Sequence, residues 1–260
     1  MRYFDGASNL STATRYLNGA AAFTISVWCK PTSLTPTSSQ LVYSGSLAGS
    51  YWGINAGTTS GEFGFSSNGH GGSDPTTSSG FPITAAHQSS GVFIAYRYDG
   101  TEWSSWVNGT KTVISASISF SLVASTDNAV VGVLFDGDVG EVAIWDAALT
   151  AAQMADLGRG VSAHNFPTSR VAYWRVTGNS SPELDYDAFP AAGTTLSVTG
   201  AIKSTFNALG HPATYGPDIV TAPQPAWLLE VQHGDGTQYA ASRDLYGRLE
   251  PTKPFLSASV

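Results

Sequence analysis

Three carboxyl groups stand at alternate positions in Glu183-Leu-Asp185-Tyr-Asp187. On a strand, the two-residue period puts all three on one face. Paired carboxylates so placed are the equipment of glycoside hydrolysis. The flanks NSSP and PAAG are turn-like, so the residues favour a solvated acidic strand or turn over catalysis. A second acidic group, Asp136, Asp138 and Glu141, is close in sequence, with Asp5 as a further oxygen donor near the start of the chain. Hard oxygen ligands of this kind suit Ca²⁺, although no EF-hand loop is present. The five histidines (His70, His87, His164, His211 and His233) are scattered without metal-ligand spacing, and no Gly-x-Ser-x-Gly nucleophile elbow occurs. The aromatic residues Trp28, Trp52 and Trp106 are candidates of another kind, because an exposed indole stacks on the apolar face of a sugar ring. A large β protein also needs aromatic residues in its core, and that use has the stronger claim.

Composition narrows the choice. Net charge is −7, and no basic run exceeds one residue. A nucleic-acid binder needs Lys and Arg clustered on one face, so that class is excluded. No apolar run approaches the ~18 residues of a membrane-spanning helix. The amino terminus MRYFDGASNL has no apolar signal-peptide core, which predicts a chain made without a classical secretory leader. Cys29 is the only cysteine, so an intrachain disulfide or Cys-rich zinc site cannot form. In its alternating strand it is expected as a small buried apolar residue.

Strands must position these groups. Charged residues make up 12% of the chain, with abundant Gly, Ser and Thr, a composition suited to many strands joined by turns. In FTISVWCK, Phe23, Ile25, Val27 and Cys29 share one face and Trp28 takes the other. Val92, Ile94, Tyr96 and Tyr98 alternate with Phe93, Ala95 and Arg97. Asp99-Gly100 and Asn108-Gly109 then predict hairpin turns. Residues 66–80 read as a long solvated loop. In GDVGEVAIWDAALTAAQMADLGRG, Val139, Glu141, Ala143 and Trp145 alternate as a strand. One short helix follows: Thr150 and Gln153 form a capping box, Leu149 and Met154 a hydrophobic staple, and Gly158 a left-handed stop. Beyond the helix, Val171–Val176 reads as another strand. From about His211 the texture changes, and six of the 13 prolines lie between Pro212 and Pro254. Trp227–Gln232 and Gln238–Ser242 read as a hairpin within this arm.

YFDG, FTISVWCKP, WSSWVNGTKT and GDVGEVAIWDAALTAAQMADL, in that order, resemble the laminin G-like, concanavalin A-like jelly-roll family over roughly residues 1–200. The resemblance implies an all-β fold of two antiparallel sheets packed face to face. Family members bind glycans, bind proteins, cap virus particles or sit beside catalytic domains, so the fold alone does not choose a function. Some relatives hold one Ca²⁺ at a sheet edge, a role Asp136, Asp138 and Glu141 would take here. Laminarinase-type hydrolases carry a Glu-x-Asp-x-Glu strand. Here Asp187 is one methylene short, and the segment follows the family's terminal helix.

The expectation is a jelly-roll domain over 1–205 and a Pro-rich arm over 206–260. The first functional reading is a non-enzymatic structural or interaction protein, on a virion surface as a capsid decoration or tail-associated protein, or extracellular. Its arm would dock on other subunits of a homo-oligomeric assembly through Trp227, Leu229, Tyr239, Tyr246 and Phe255. The alternative is a carbohydrate-binding module using Trp28, Trp52 and Trp106. A laminarinase-type hydrolase ranks third.

Overall fold

The computed structural model describes residues 1–14, 16–17, 19–36, 39–45, 51–57, 61–68, 71–72, 80–121, 129–176, 195–200, 202–203, 229–232, 238–243 and 249–254. In 71–72, 120–121, 202–203 and from 229 onward it describes the backbone alone. The strands of the first half are β1 (Arg2–Asp5), β2 (Asn9–Thr12), β3 (Phe23–Pro31), β4 (Ser39–Gly45), β5 (Tyr51–Ala56), β6 (Glu62–Asn68), β7 (Gly71–Gly72) and β8 (Phe81–Pro82). Helix α1 (Ala85–Ser90) precedes β9 (Val92–Tyr98), β10 (Trp103–Val107), β11 (Thr110–Ser115), β12 (Phe120–Ser121), β13 (Ala129–Val133) and β14 (Asp136–Trp145). Helix α2 (Ala151–Gly158) and a 3-10 turn (Ala163–Asn165) lead to β15 (Arg170–Trp174), β16 (Ser197–Thr199) and β17 (Ile202–Lys203). The chain closes with β18 (Leu229–Gln232), β19 (Gln238–Arg243) and β20 (Leu249–Pro254).

Two antiparallel sheets form the jelly-roll sandwich. One has eight strands, ordered β11–β10–β9–β3–β14–β1–β17, with β15 also beside β14. β1 and β15 share one edge of β14 in tandem, β1 along Asp136–Val139 and β15 along Val142–Trp145. The other sheet has seven strands, ordered β16–β2–β13–β4–β5–β6–β8. Side chains of the two inner faces meet in the core. Phe65 of β6 lies 4.7 Å, ring to ring, from Trp103 of β10, which in turn stacks on Tyr96 at 5.6 Å.

The alternation read from sequence holds, with a correction to its consequence. Phe23, Ile25, Val27, Cys29, Val92, Ile94, Tyr96 and Tyr98 do face the inter-sheet core. The opposite side of these strands is buried as well: Trp28, Phe93 and Ala95 lie in a second apolar cluster. The reason is α2, whose Met154 and Leu157, with Leu149 before it, cover that outer face. Burial alone pushes the Cys29 thiol well above its ordinary range, so it is an inert core residue.

Four local readings need adjusting. The strand at 136–145 carries a register shift between Val139 and Val142, so both face the core and Glu141 is out of step with Val139. Asn108 (φ 47°) and Gly109 (φ 79°) make the expected tight turn, whereas Asp99-Gly100 opens a four-residue loop, since Tyr98 pairs with Trp103. Helix α1 is an addition, set by a capping box between Thr84 and His87: the Thr84 amide donates to His87 Nδ1 at 3.2 Å. Its signal was present, but six residues with histidine in place of Glu or Gln are easily lost in a β pattern. The loop expected from residue 66 begins later, because Ser66–Asn68 complete β6.

Around α2, the Thr150 hydroxyl accepts from the Gln153 amide at 3.3 Å, and Gln153 Oε1 accepts from the Thr150 amide at 2.8 Å. Gly158 is the last helical residue, not the left-handed stop; that conformation belongs to Gly160 (φ 94°). Glycine is needed at 158 because a Cβ there would lie 2.0 Å from the Gly109 nitrogen. The helix end thus sits directly on the Asn108-Gly109 turn.

Candidate functional site

Cover by α2 disposes of the tryptophans first. Trp28 and Trp106 are 8% and 4% exposed, beneath the helix. Trp52, 1% exposed, belongs to the core between the sheets. The Trp106 indole N–H donates internally to Ser104 Oγ at 3.3 Å. None of the three presents a ring to a sugar, which corrects the stacking role expected for them. Their hydrophobic area is committed to the fold.

Glu141, Asp136 and Asp5 are likewise occupied. Glu141, 7% exposed, accepts at 2.6 Å from both the Ser162 and Tyr173 hydroxyls, and from the Ala163 amide at 3.2 Å. It ties the turn after α2 to β14 and β15. Burial, reinforced by the Glu141 charge, holds the Tyr173 hydroxyl well above its ordinary range, so it stays a donor. Asp136 accepts from the Tyr3 hydroxyl at 2.8 Å. Asp5 accepts from the Ala7 and Ser8 amides within its own turn. Asp138 is buried next to them on the sheet, and among the described residues its Oδ1 has no hydrogen-bond partner. Among the described residues, no group of three or more His, Cys, Asp or Glu is arranged to hold a metal ion. Asp136, Asp138 and Glu141 therefore do not fit a shared Ca²⁺. The physical reason is that Glu141 is already claimed by the Ser162 and Tyr173 hydroxyls and the Ala163 amide.

The outer face of the seven-stranded sheet has a different chemistry. Val42, Trp52, Ile54, Phe63 and Phe65 point into the core. Strand alternation therefore turns Tyr43, Tyr51, Gly53, Asn55, Gly64 and Ser66 outward, and the register shift between Gln40 and Val42, which puts Leu41 in the core as well, turns Gln40 outward with them. Registry aligns them in rows: Tyr43 beside Gly53 beside Ser66, and Gln40 beside Asn55 beside Gly64. The Tyr43 and Tyr51 rings are 5.5 Å apart and tilted by 31°. A Cβ on Gly53 would come within 2.9 Å of the Tyr43 ring, so glycine lets that ring lie against the sheet. Asn55 donates through Nδ2 to Ser66 Oγ. Tyr43, Asn55 and Ser66 are buried on this outer face, while Tyr51 and Gln40 are partly exposed. The partly exposed Tyr51 ring and Gln40 amide thus stand beside a buried polar layer of Tyr43, Asn55 and Ser66. That combination suits a ligand with apolar faces and hydroxyl edges.

Sequence reasoning did not single out these residues, although the alternation in Tyr51-Trp-Gly-Ile-Asn-Ala carries the signal. The core-facing Trp52 and Ile54 draw the eye from Tyr51 and Asn55. Of the expected arm anchors, Leu229 and Tyr239 lie in β18 and β19, which pair antiparallel as a hairpin, with β20 added alongside. Trp227, Tyr246 and Phe255 lie outside the described residues, as do Glu183, Asp185 and Asp187.

A two-sheet jelly roll with a covered outer face on one sheet and a polar, tyrosine-bearing face on the other is a lectin-like architecture. The chain belongs to the laminin G-like family described as the concanavalin A-like lectin/glucanases superfamily, whose family model matches residues 4–155. Among solved structures it is similar to a proposed carbohydrate-binding protein from Bacteroides ovatus, with 16% identity and a TM-score of 0.57, over 80% of this chain and 60% of that one. It thus spans three-fifths of that protein's length. It is also similar to domain 4 of the extracellular arabinanase AbnA of Geobacillus stearothermophilus, solved with arabinotriose, with 17% identity and a TM-score of 0.47, over 60% and 75% of the chains. Domains LG4-5 of the mouse laminin α1 chain share 12% identity over 58% of this chain and 43% of theirs, with a TM-score of 0.43. Identities this low speak for the fold alone. No curated protein matches the chain.

Proposed function

We propose that this protein is a non-catalytic carbohydrate-binding module. The observation that carries the reading is the outer face of the seven-stranded sheet, where the Tyr43–Tyr51 pair adjoins the Asn55–Ser66 and Gln40 polar groups. A sugar ring stacks on the partly exposed Tyr51, and hydroxyls of the same glycan exchange hydrogen bonds with the partly exposed Gln40 amide, while Asn55 and Ser66, buried and bonded to each other, fix the surface they belong to. Preorganisation reduces the ordering cost of binding. The family supports the reading, since lectins are among its named members. A glycan array probed with the wild type and Tyr51→Ala tests it. Signals that fall in the variant are expected; an array with no signal for the wild type refutes the reading.

A second reading concerns assembly. The carboxy-terminal segment folds into a three-stranded meander hydrogen-bonded as a sheet distinct from the two sandwich sheets. This favours a docking arm for other subunits, with a virion-surface or other extracellular assembly as its setting. Removal of residues 206–260 is expected to lower the oligomeric mass measured by light scattering while the sandwich keeps its near-UV spectrum. Unchanged mass refutes the arm.

A further inference from the structure

We propose that the glycan recognised by the seven-stranded sheet is electrically neutral, and that this face selects against sulfated, sialylated and uronic acid sugars. The inference rests on the carbohydrate-binding reading and specifies its ligand class.

Charge is segregated between the two sheets. The eight-stranded sheet carries Arg2, Lys30, Arg97, Lys111, Arg170 and Lys203, one in each of six strands. The seven strands of the opposite sheet contain no lysine or arginine, and Glu62 is their only charged residue. The connections between these strands repeat the pattern. No Lys or Arg occurs anywhere between Lys30 and Arg97, the stretch that supplies β4 through β8. None occurs between Lys111 and Arg159, which supplies β13.

A sulfate or carboxylate brought onto a protein surface loses hydration that only cations or charge-assisted donors replace well. This face offers phenol, amide and hydroxyl groups instead, with the Glu62 carboxylate at one edge. A net charge of −7 adds long-range repulsion of anions. A neutral sugar meets neither penalty. Its hydroxyls match the Gln40 amide and its apolar ring face matches Tyr51, the partly exposed groups of this face.

Titration calorimetry of the full chain tests the proposal. The neutral probes are gluco-, xylo- and arabino-oligosaccharides; the anionic probes are heparin, polygalacturonate and sialyllactose. At least one neutral probe is expected to bind about tenfold tighter than any anionic one. Its affinity should stay within about twofold as salt rises from about 20 to about 500 mM. Tyr51→Ala should weaken it about tenfold, and Gln40→Lys should raise affinity for anionic probes. Salt-sensitive binding of anionic probes in preference to neutral ones overturns the charge selection while leaving carbohydrate binding intact. Neutral binding indifferent to Tyr51→Ala overturns the location. Binding of neither class overturns the carbohydrate reading and this inference with it.

Discussion

Replacing Gly158 by alanine sets two physical rules against each other. Helix propensity alone favours the change by about 0.5–1 kcal/mol, because glycine loses more backbone entropy. Tertiary contact opposes it. The new Cβ would lie 2.0 Å from the Gly109 nitrogen, 2.3 Å from its Cα and 2.4 Å from the Asn108 carbonyl carbon. Ordinary contact needs about 3.5 Å, so helix and hairpin would have to separate by more than about 1 Å. Backbone atoms on both sides leave no flexible side chain to yield. A gap of that size forfeits roughly a quarter to a half of the dispersion energy across it. The contacts affected are those of Met154 and Leu157 with the cluster containing Trp28, Phe93 and Trp106. Overpacking of this kind costs about 1–3 kcal/mol, so the clash outweighs the propensity gain. A net loss of about 1–2 kcal/mol corresponds to a fall in Tm of about 2–8 °C for a domain of this size. Thermal unfolding followed by tryptophan fluorescence measures it directly. Ala152→Gly, at an exposed position of the same helix, is the control and should cost about 0.5–1 kcal/mol through propensity alone. A Gly158→Ala protein as stable as wild type, or more so, would refute the close-contact reasoning.

Other expectations follow from the same geometry. Thr150→Ala removes the α2 cap and should cost about 1 kcal/mol in a denaturant melt, while Thr150→Ser should cost much less. Glu141→Ala leaves the Ser162 and Tyr173 hydroxyls without their shared acceptor and should cost about 3 kcal/mol, with Glu141→Gln intermediate. Burial disfavours the charge on Asp99. Hydrogen bonds from the Glu102 and Thr101 amides and the Thr101 hydroxyl, with the Arg97 charge, prevail and hold its carboxyl at about 2, below its ordinary 3.8. Its stabilisation is therefore present above pH 3.8 and lost as pH falls towards about 2, so the stability difference between wild type and Asp99→Asn should shrink over that window. Burial lowers the pKa of His87 below 6.5, and its Nδ1 accepts a hydrogen bond only when deprotonated. Its contribution should be complete above 6.5 and fall as pH drops through the lowered value. His87→Gln, which keeps a capping acceptor, should flatten stability over that range.

Local pattern made much of the molecule legible. The two-residue period of FTISVWCK and VFIAYRY sorts their side chains into two sets correctly, and Thr150-x-x-Gln153 announces α2. The candidate site was less legible. Trp28 and Trp106 are large aromatic residues on the outward side of their strands, and nothing local says that a helix some forty residues further on than Trp106 will cover them. Asp136, Asp138 and Glu141 look like one acidic group, but the hydroxyls of Ser162 and Tyr173 claim Glu141 for the fold.

By itself, then, the sequence determined which residues share a face, where the chain turns, and that the stretches supplying most of one sheet hold no cation. Those properties belong to residue type and short-range backbone geometry. Only the tertiary structure decided which faces are covered. It placed Gly158 against Gly109, buried both sides of β3 and β9, and brought Tyr43, Tyr51, Asn55 and Ser66 together on one outer surface. The physical reason is that alternation assigns side chains to opposite sides of a strand without saying what packs on either side. That choice is made by contacts between segments far apart in the chain.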